Sequence, residues 1–274
     1  MFGVGRLLQT YSYDMRARFD GPHAKFMHRI APGYAEFRRI VRNMIVSEKF
    51  EYVYIINQKV GCTTICNRLH EMNGNSPLAD PLDIWRNMRD EFALSLNMTS
   101  EQLENIAATG NYFRFSFVRN PFGRLVSGYE YIQKFIRNGI TSNDKIVLFK
   151  RRDDPRCDIK TNTLMDFATF AESACTNHGF DQNKHWRSQH ELLKVGLIPY
   201  DFIGRFETFS SDLEQILTRL GAREDVLERI RVKSNTSRKS KPISDYYDDR
   251  LADMVRTHYR KDFEVFGYSM ELPR

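Results

Sequence analysis

Cysteine is scarce in this 274-residue sequence, and the four that occur follow no regular spacing: Cys62, Cys66, Cys157 and Cys175. So few cysteines exclude a disulfide-stabilised scaffold. Although Cys62 and Cys66 lie close together in sequence, no second pair of cysteines or histidines completes a zinc site. We therefore expect free thiols in a reducing compartment and no bound metal.

Long apolar runs, internal repeats and low-complexity linkers are also absent from the sequence. Without repeats, the solenoid and propeller architectures are excluded. Residues 1–6 lack the hydrophobic stretch of a signal peptide, and no stretch reaches the roughly 20 apolar residues that a membrane-spanning helix needs. These absences predict a soluble chain without a membrane anchor.

Basic residues are present in excess, with 41 lysines and arginines against 35 aspartates and glutamates, a formal net charge of +6. This excess favours anionic partners such as nucleic acid, a phosphorylated cofactor or an acidic polymer. Because acidic and basic residues are interleaved, we expect most of them on a solvated surface. The sequence contains no motif that reads nucleic acid, so we expect no nucleic-acid partner.

Strand and helix patterns alternate along the chain. Segments rich in β-branched and aromatic residues predict three buried strands, at residues 51–57, 113–118 and 200–206. Helical periodicity predicts helices that include residues 82–96, 101–108, 164–175 and 248–259. This alternation is typical of an α/β fold, and we expect a single domain with a central parallel sheet flanked by helices and a P-loop-like nucleotide-binding core. Residues 51–274 would form that domain, and residues 1–50 would form a helical extension packed on it.

Two capping boxes mark helix starts, one for the helix predicted at residues 101–108 and one for a further helix. Thr99 is followed three residues later by Gln102, and Ser211 is followed three residues later by Glu214. In each pair the hydroxyl and the longer side chain can satisfy amides of the first helical turn. We therefore expect one helix to begin at each position.

The first predicted strand runs into a loop with a lysine, a glycine and two threonines, Lys59-Val60-Gly61-Cys62-Thr63-Thr64. At a helix start, backbone N–H groups, hydroxyls and a lysine can converge on an anion, so this arrangement predicts a phosphate-binding loop. The nucleoside-triphosphatase version requires Gly-Lys-Ser or Gly-Lys-Thr, which does not occur here. A tight strand-to-helix turn with a surface lysine is the alternative interpretation.

The second predicted strand ends in a similar loop. Arg119 follows the strand, Asn120 and Pro121 provide a cap and a first residue for a helix, and Ser127 lies two helical turns further on. The alternative interpretation is an ordinary capped helix with Arg119 and Arg124 in solvent. In parallel α/β sheets such loops lie at the carboxyl ends of the strands, where ligands bind.

Together the two loops resemble the two signatures that bind 3′-phosphoadenosine 5′-phosphosulfate (PAPS) in carbohydrate sulfotransferases, of the Golgi chondroitin and HNK-1 type and their bacterial relatives. The first signature corresponds to residues 59–64. The second corresponds to Arg119-Asn120-Pro121-Phe122-Gly123-Arg124-Leu125-Val126-Ser127. Segments 185–186, 200–207 and 259–268 are similar to the same family, so the resemblance covers about residues 52–268.

The resemblance implies that the chain transfers the sulfuryl group of PAPS to a hydroxyl, on a carbohydrate acceptor that is neutral or anionic, and that it does so without a metal. Carried over residue by residue, it assigns the 5′-phosphosulfate to Lys59, Gly61, Cys62, Thr63 and Thr64. Lys59 would hold the bridging and sulfuryl oxygens, and Arg119 and Ser127 would hold the 3′-phosphate. The loop with Arg238 and Lys239 lies where related enzymes bring further polar contacts to the nucleotide.

An acceptor hydroxyl loses a proton during the transfer, so we expect a general base near it. Histidine suits this role near neutral pH. His185 is our candidate because it stands at the family's His-Trp position in a polar segment; packing against Trp186 is its alternative role. His70 is a second candidate, although we expect it to be an exposed helix residue.

Other functions remain open on the sequence alone. The first loop could serve ATP in a nucleotide kinase, or the basic surface could belong to a non-catalytic module that binds polyanions. Within the sulfotransferases, a small molecule or a protein tyrosine is the alternative acceptor. We expect a cytoplasmic, bacterial-type enzyme, with the Golgi lumen as the alternative if the chain is a trimmed catalytic domain. The sequence does not predict an oligomeric state.

Overall fold

A computed structural model describes residues 25–31, 33–87, 98–137, 166–176, 183–231 and 241–273. Its helices and strands, in chain order, are α1 (Lys25–Ile30), α2 (Tyr34–Val41), β1 (Met44–Ser47), β2 (Tyr52–Ile55), α3 (Cys62–Met72), α4 (Ile84–Asn87), α5 (Ser100–Glu104), β3 (Phe113–Val118), α6 (Pro121–Arg137), α7 (Phe167–Thr176), α8 (Gln189–Leu192), β4 (Phe202–Arg205), α9 (Phe209–Arg219), α10 (Glu224–Arg231), α11 (Asp249–His258) and α12 (Arg260–Phe266). Short 3₁₀ turns occupy Pro81–Asp83, Phe206–Thr208 and Ile243–Tyr246, and a π-helical turn, Asn105–Thr109, follows α5. None of the helices in these described ranges combines the length and apolar character needed to cross a membrane.

The strands form one four-stranded sheet in the order β1-β2-β3-β4. The last three strands are parallel, with Tyr52 opposite Phe113 and Phe115 opposite Phe202, whereas β1 is antiparallel to β2. This architecture confirms the predicted α/β fold with a mostly parallel sheet. The three predicted strands correspond to β2, β3 and β4, and β1 has no counterpart among them.

The chain divides into two compact units that alternate along the sequence. The first contains Met1–Asn57, Gly61–Val118 and Leu193–Thr236, and therefore the whole sheet. The second contains Gln58–Val60, Arg119–Leu192 and Ser237–Arg274. Each unit has buried aromatic side chains of its own.

In the first unit, aromatic side chains of neighbouring parallel strands pack together. The ring centroids of Tyr54 and Phe115 lie 5.1 Å apart, and both side chains are completely buried. Phe117 packs on Phe209 of α9 at 5.3 Å. A Cβ at Gly204 would lie 2.5 Å from the Phe117 ring, so β4 can approach β3 only with glycine at that position. Burial of each large ring contributes about 1.5–3 kcal/mol, which stabilises the sheet that the two loops follow.

In the second unit, the core lies among α6, α7, α11 and α12. Trp186 is 1% exposed, and it packs edge-to-face on Phe170 with ring centroids 5.3 Å apart. Its carbonyl oxygen accepts a hydrogen bond of 2.5 Å from the buried Tyr259 hydroxyl. Trp186 is therefore a core residue, and it fixes the backbone of the segment in which His185 lies.

Candidate active site

The loop after β2 ends in a turn that only glycine fits. Gly61 precedes α3 with a φ of +87°, and a Cβ there would lie 2.6 Å from the ring of Phe209. Cys62 is buried, and Thr63 and Thr64 are half-buried in the first turn of α3. The amides of a first helical turn have no intrahelical acceptor and carry partial positive charge. This end of α3 therefore fits an anionic group such as a phosphate.

Lys59 occupies the same loop in an unusual backbone conformation. Its φ is +71°, although it is not a glycine, and such a conformation costs roughly 1–2 kcal/mol. Its carbonyl oxygen accepts a 3.2 Å hydrogen bond from Nη1 of Arg119. Its ammonium nitrogen lies 4.1 Å from the centroid of the Tyr131 ring. Lys59 thus contacts Arg119, which follows β3, and Tyr131, which lies on helix α6.

Arg119 is fixed at the end of β3 by a buried glutamine. The Arg119 N–H donates to Oε1 of Gln189 at 3.0 Å, and Nε2 of Gln189 donates to the Arg119 carbonyl at 2.8 Å. The Gln189 N–H in turn donates to the buried Asp262 carboxylate at 2.7 Å. Because Arg119 is only 6% exposed, the interpretation that places it in solvent is wrong.

Arg124 is more deeply buried, at 2% exposed, so a solvent location is wrong for it too. Its guanidinium donates to three backbone carbonyl oxygens: Gln58 at 3.1 Å, Lys184 at 3.1 Å and Arg187 at 2.7 Å. Gln58 and Lys184 are the residues directly before Lys59 and His185. Arg124 therefore joins the two segments that carry the predicted catalytic side chains.

His185 is held in one tautomer. Its Nδ1 lies 2.7 Å from Oδ1 of Asn183, and its backbone N–H donates to the same oxygen at 3.0 Å. Because this amide oxygen only accepts, Nδ1 carries the proton and Nε2 carries the lone pair. The imidazole stacks on Tyr131, with ring centroids 4.9 Å apart and planes inclined by 21°.

The surroundings of His185 keep it neutral. Burial is the main cause, and the positive charges of Lys59, Lys184 and Arg124 add to it; together they lower the pKa of His185 to about 3. Both effects disfavour the imidazolium ion. At neutral pH the ring therefore carries the free lone pair that a general base requires.

Other predicted site residues are less closely connected. Ser127 is half-buried on α6, and the next residue, Gly128, packs near the His185 carbonyl, which a Cβ would approach to 3.7 Å. His70 is buried near the end of α3 in the first unit, so the expectation that it is exposed is wrong. Arg238 and Lys239 lie outside the described residues, and their predicted contacts stay predictions.

The second unit thus brings together Lys59, Arg119 and His185, three of the residues singled out from the sequence. Sequence reasoning missed two residues that contact them, Tyr131 and Gln189. Each lies four residues beyond a predicted site residue, Ser127 or His185, and neither belongs to a recognised motif. Over the described ranges, no three histidine, cysteine, aspartate or glutamate side chains are grouped as metal ligands.

A model of the Sulfotransferase family matches residues 42–269. Carbohydrate sulfotransferase 11 of Rattus norvegicus is 25% identical over 245 residues, which cover 84% of this chain and 68% of the relative. Carbohydrate sulfotransferase 14 of Homo sapiens is 25% identical over 248 residues, covering 85% and 62%. Carbohydrate sulfotransferase 10 of Xenopus laevis is 26% identical over 246 residues, covering 84% and 68%. No solved structure matches the chain.

These comparisons correct one expectation and confirm another. The predicted cytoplasmic location is contradicted, because the relatives are Golgi carbohydrate sulfotransferases and point to the Golgi lumen. The sequence pattern alone is therefore not sufficient ground for predicting a compartment. The prediction of a sulfotransferase is confirmed over a match that spans most of the chain, which excludes the kinase and the non-catalytic module. The chain belongs to the Sulfotransferase family and is an enzyme of sulfuryl transfer.

Proposed function

We propose that this enzyme transfers the sulfuryl group of PAPS to a carbohydrate hydroxyl, with Lys59 and His185 as its catalytic residues. The observation that carries the proposal is that the Lys59 ammonium and the His185 imidazole both lie against the Tyr131 ring. A cation and a neutral base are thereby close to each other. The names of the relatives, all carbohydrate sulfotransferases, support a carbohydrate acceptor.

The residues fit the two anionic groups of PAPS separately. The turn at Gly61 and the first turn of α3, with Thr63 and Thr64, offer amides and hydroxyls to the 5′-phosphosulfate. Arg119 offers a guanidinium to the 3′-phosphate, to which it can make charge-assisted hydrogen bonds. Ser127, on the helix that follows Arg119, adds a hydroxyl.

Lys59 acts on the charge that develops during the transfer. PAPS supplies an activated sulfuryl group whose bond to the phosphate oxygen breaks as the acceptor oxygen attacks in line. Negative charge then grows on the leaving oxygen, where a fixed cation stabilises the transition state more than the ground state. The positive φ of Lys59 and the bond from Arg119 to its carbonyl oxygen fix the backbone from which the ammonium extends.

His185 accepts the proton of the acceptor hydroxyl on Nε2. The bond between Nδ1 and Asn183 fixes the ring in the orientation that leaves Nε2 available. A pKa of about 3 makes His185 a weak base, because burial and, to a lesser degree, the nearby cations oppose protonation. A nucleotide brings anionic groups that offset those cations, so its binding raises the pKa toward the range in which proton transfer is efficient.

The experiment that tests the donor compares two nucleotides that differ only in the 3′-phosphate, 3′-phosphoadenosine 5′-phosphate and adenosine 5′-phosphate. One lost charge-assisted contact is worth about 1.5–3 kcal/mol, so we expect at least tenfold tighter binding of the bisphosphate by calorimetry. Arg119→Ala should remove this difference. Arg250→Ala is the control, because Arg250 is an exposed arginine of the same unit that pairs with Glu172. Equal affinity of the unmodified enzyme for both nucleotides would refute the assignment.

The acceptor is tested by transfer assays with labelled PAPS against neutral oligosaccharides, acidic oligosaccharides, a tyrosine-containing peptide and a small alcohol. We expect label in the oligosaccharides, because the relatives that the chain resembles are carbohydrate sulfotransferases. Label only in the peptide or the small alcohol would contradict the carbohydrate assignment and leave the donor assignment intact.

A further inference from the structure

Tyr131 lies on α6 and contacts both proposed catalytic residues. The Lys59 ammonium is 4.1 Å from its ring centroid, and the His185 ring stacks on it at 4.9 Å. Tyr131 is nevertheless 37% exposed, so burial in a core does not account for its position. One partly exposed ring therefore contacts a residue from the loop after β2 and a residue from the segment before α8.

Both contacts have a physical basis. A lysine ammonium within about 6 Å of an aromatic centroid is attracted to the electron-rich face of the ring. Two nearly parallel rings at this separation also attract each other. Lysine side chains have many rotamers, and contact with an aromatic ring narrows the positions that the ammonium occupies. The ring consequently restricts where the Lys59 charge lies relative to the His185 imidazole.

We propose that Tyr131 is a positioning residue for sulfuryl transfer, whose ring holds the Lys59 ammonium and the His185 imidazole at a fixed separation. This proposal rests on the proposed function, because it presupposes that those two side chains act in the transfer. It adds a residue that belongs to neither of the two nucleotide-binding signatures.

A consequence of this arrangement is electrostatic coupling between Lys59 and His185. Apart from burial, Lys59 is the largest cause of the lowered pKa of His185, ahead of Lys184 and Arg124. Arg124 is fixed by hydrogen bonds to three backbone carbonyl oxygens, and the Lys59 ammonium contacts the Tyr131 ring. Removing the ring should therefore weaken the effect of Lys59 on His185 and leave the Arg124 charge where it is.

The test is a double-mutant cycle on the pKa of His185, measured by NMR titration without nucleotide and assigned with His185→Gln. Tyr131→Leu removes the ring, Lys59→Gln removes the charge, and the double variant removes both. Tyr131→Leu also exposes His185, which raises the pKa independently of Lys59, and the cycle subtracts this effect. We expect each single variant to raise the pKa and the double variant to raise it by less than the sum. Additive changes would overturn the proposal.

Kinetics give a second measurement. Tyr131→Leu should lower kcat about tenfold, because the Lys59 ammonium and the His185 imidazole lose their common contact, while affinity for 3′-phosphoadenosine 5′-phosphate stays unchanged. Tyr131→Phe keeps the ring and should restore most of kcat. Val265→Ala, at an equally exposed apolar position of α12, is the control. An unchanged kcat in Tyr131→Leu would also overturn the proposal.

The two proposals fail in different ways. If the unmodified enzyme does not transfer sulfuryl from PAPS, the proposed function is wrong even when the titration cycle shows coupling. If Lys59→Gln abolishes transfer but the cycle is additive, the proposed function stands and the role of Tyr131 is wrong.

Discussion

Replacing Arg124 with methionine should both destabilise the enzyme and impair the transfer. The guanidinium donates to three carbonyl oxygens over 2.7–3.1 Å and is 2% exposed. A hydrogen bond from a charged donor contributes about 1.5–3 kcal/mol, so three of them contribute at least about 4.5 kcal/mol. Burying a charge costs desolvation free energy, which methionine avoids, so part of the lost stabilisation is recovered. We therefore expect the free energy of unfolding to fall by about 3 kcal/mol.

The loss is measured by urea unfolding, with thermal unfolding as a check. For a chain of this size, about 3 kcal/mol corresponds to a decrease in Tm of about 6–12 °C. Arg124→Lys keeps the charge but not the planar fork that reaches three acceptors, so it should recover less than half of the loss. Full stability of Arg124→Lys would contradict this prediction, because it would show that charge alone matters.

Four further predictions follow from the site. Lys59→Ala should lower kcat by about two orders of magnitude or more while the affinity for the product nucleotide falls less, and a change confined to KM would make Lys59 a binding residue only. Gly61→Ala should destabilise the fold more than Gly74→Ala, since both have positive φ but only Gly61 has Phe209 within contact; equal losses of unfolding free energy would contradict this. His185→Gln should reduce the fall in unfolding free energy between pH 6.5 and 3. In that window the unfolded histidine binds a proton that the folded one does not, so the unmodified protein loses up to about 1.4 kcal/mol per pH unit more than the variant. Binding of 3′-phosphoadenosine 5′-phosphate should raise the pKa of His185 in an NMR titration, and a lowered pKa would contradict its proposed place near the anion.

Much of the sheet could be predicted because its strands are composed of strongly β-forming residues. Residues 113–118 form β3 as predicted, and the Thr99–Gln102 capping box is confirmed by both of its hydrogen bonds. The Ser211–Glu214 box is wrong: α9 begins at Phe209, and the Ser211 hydroxyl donates to the Thr208 carbonyl. The 3₁₀ turn Phe206–Thr208 determines where α9 begins, and the side-chain pattern of the sequence does not reveal that turn.

The candidate site could be predicted only where a motif marked it. Lys59 and His185 could be identified from their motifs. The burial of Arg124 could not, because a single sequence does not distinguish an arginine on the buried face of a helix from one on its exposed face. Tyr131 became identifiable only when the fold brought two distant segments onto its ring. His70 shows the same error as Arg124, because helix α3 buries a residue whose polarity predicts exposure.

We propose that Lys59 and His185 carry out sulfuryl transfer from PAPS. The test of these two roles is a single-turnover assay in which labelled sulfuryl is transferred from saturating PAPS to oligosaccharide acceptors. The assay compares the unmodified enzyme with His185→Gln. We predict label in the oligosaccharide for the unmodified enzyme and a rate at least 100-fold lower for His185→Gln, with normal binding of 3′-phosphoadenosine 5′-phosphate. A near-native rate in His185→Gln, or no transfer by the unmodified enzyme, would contradict the account.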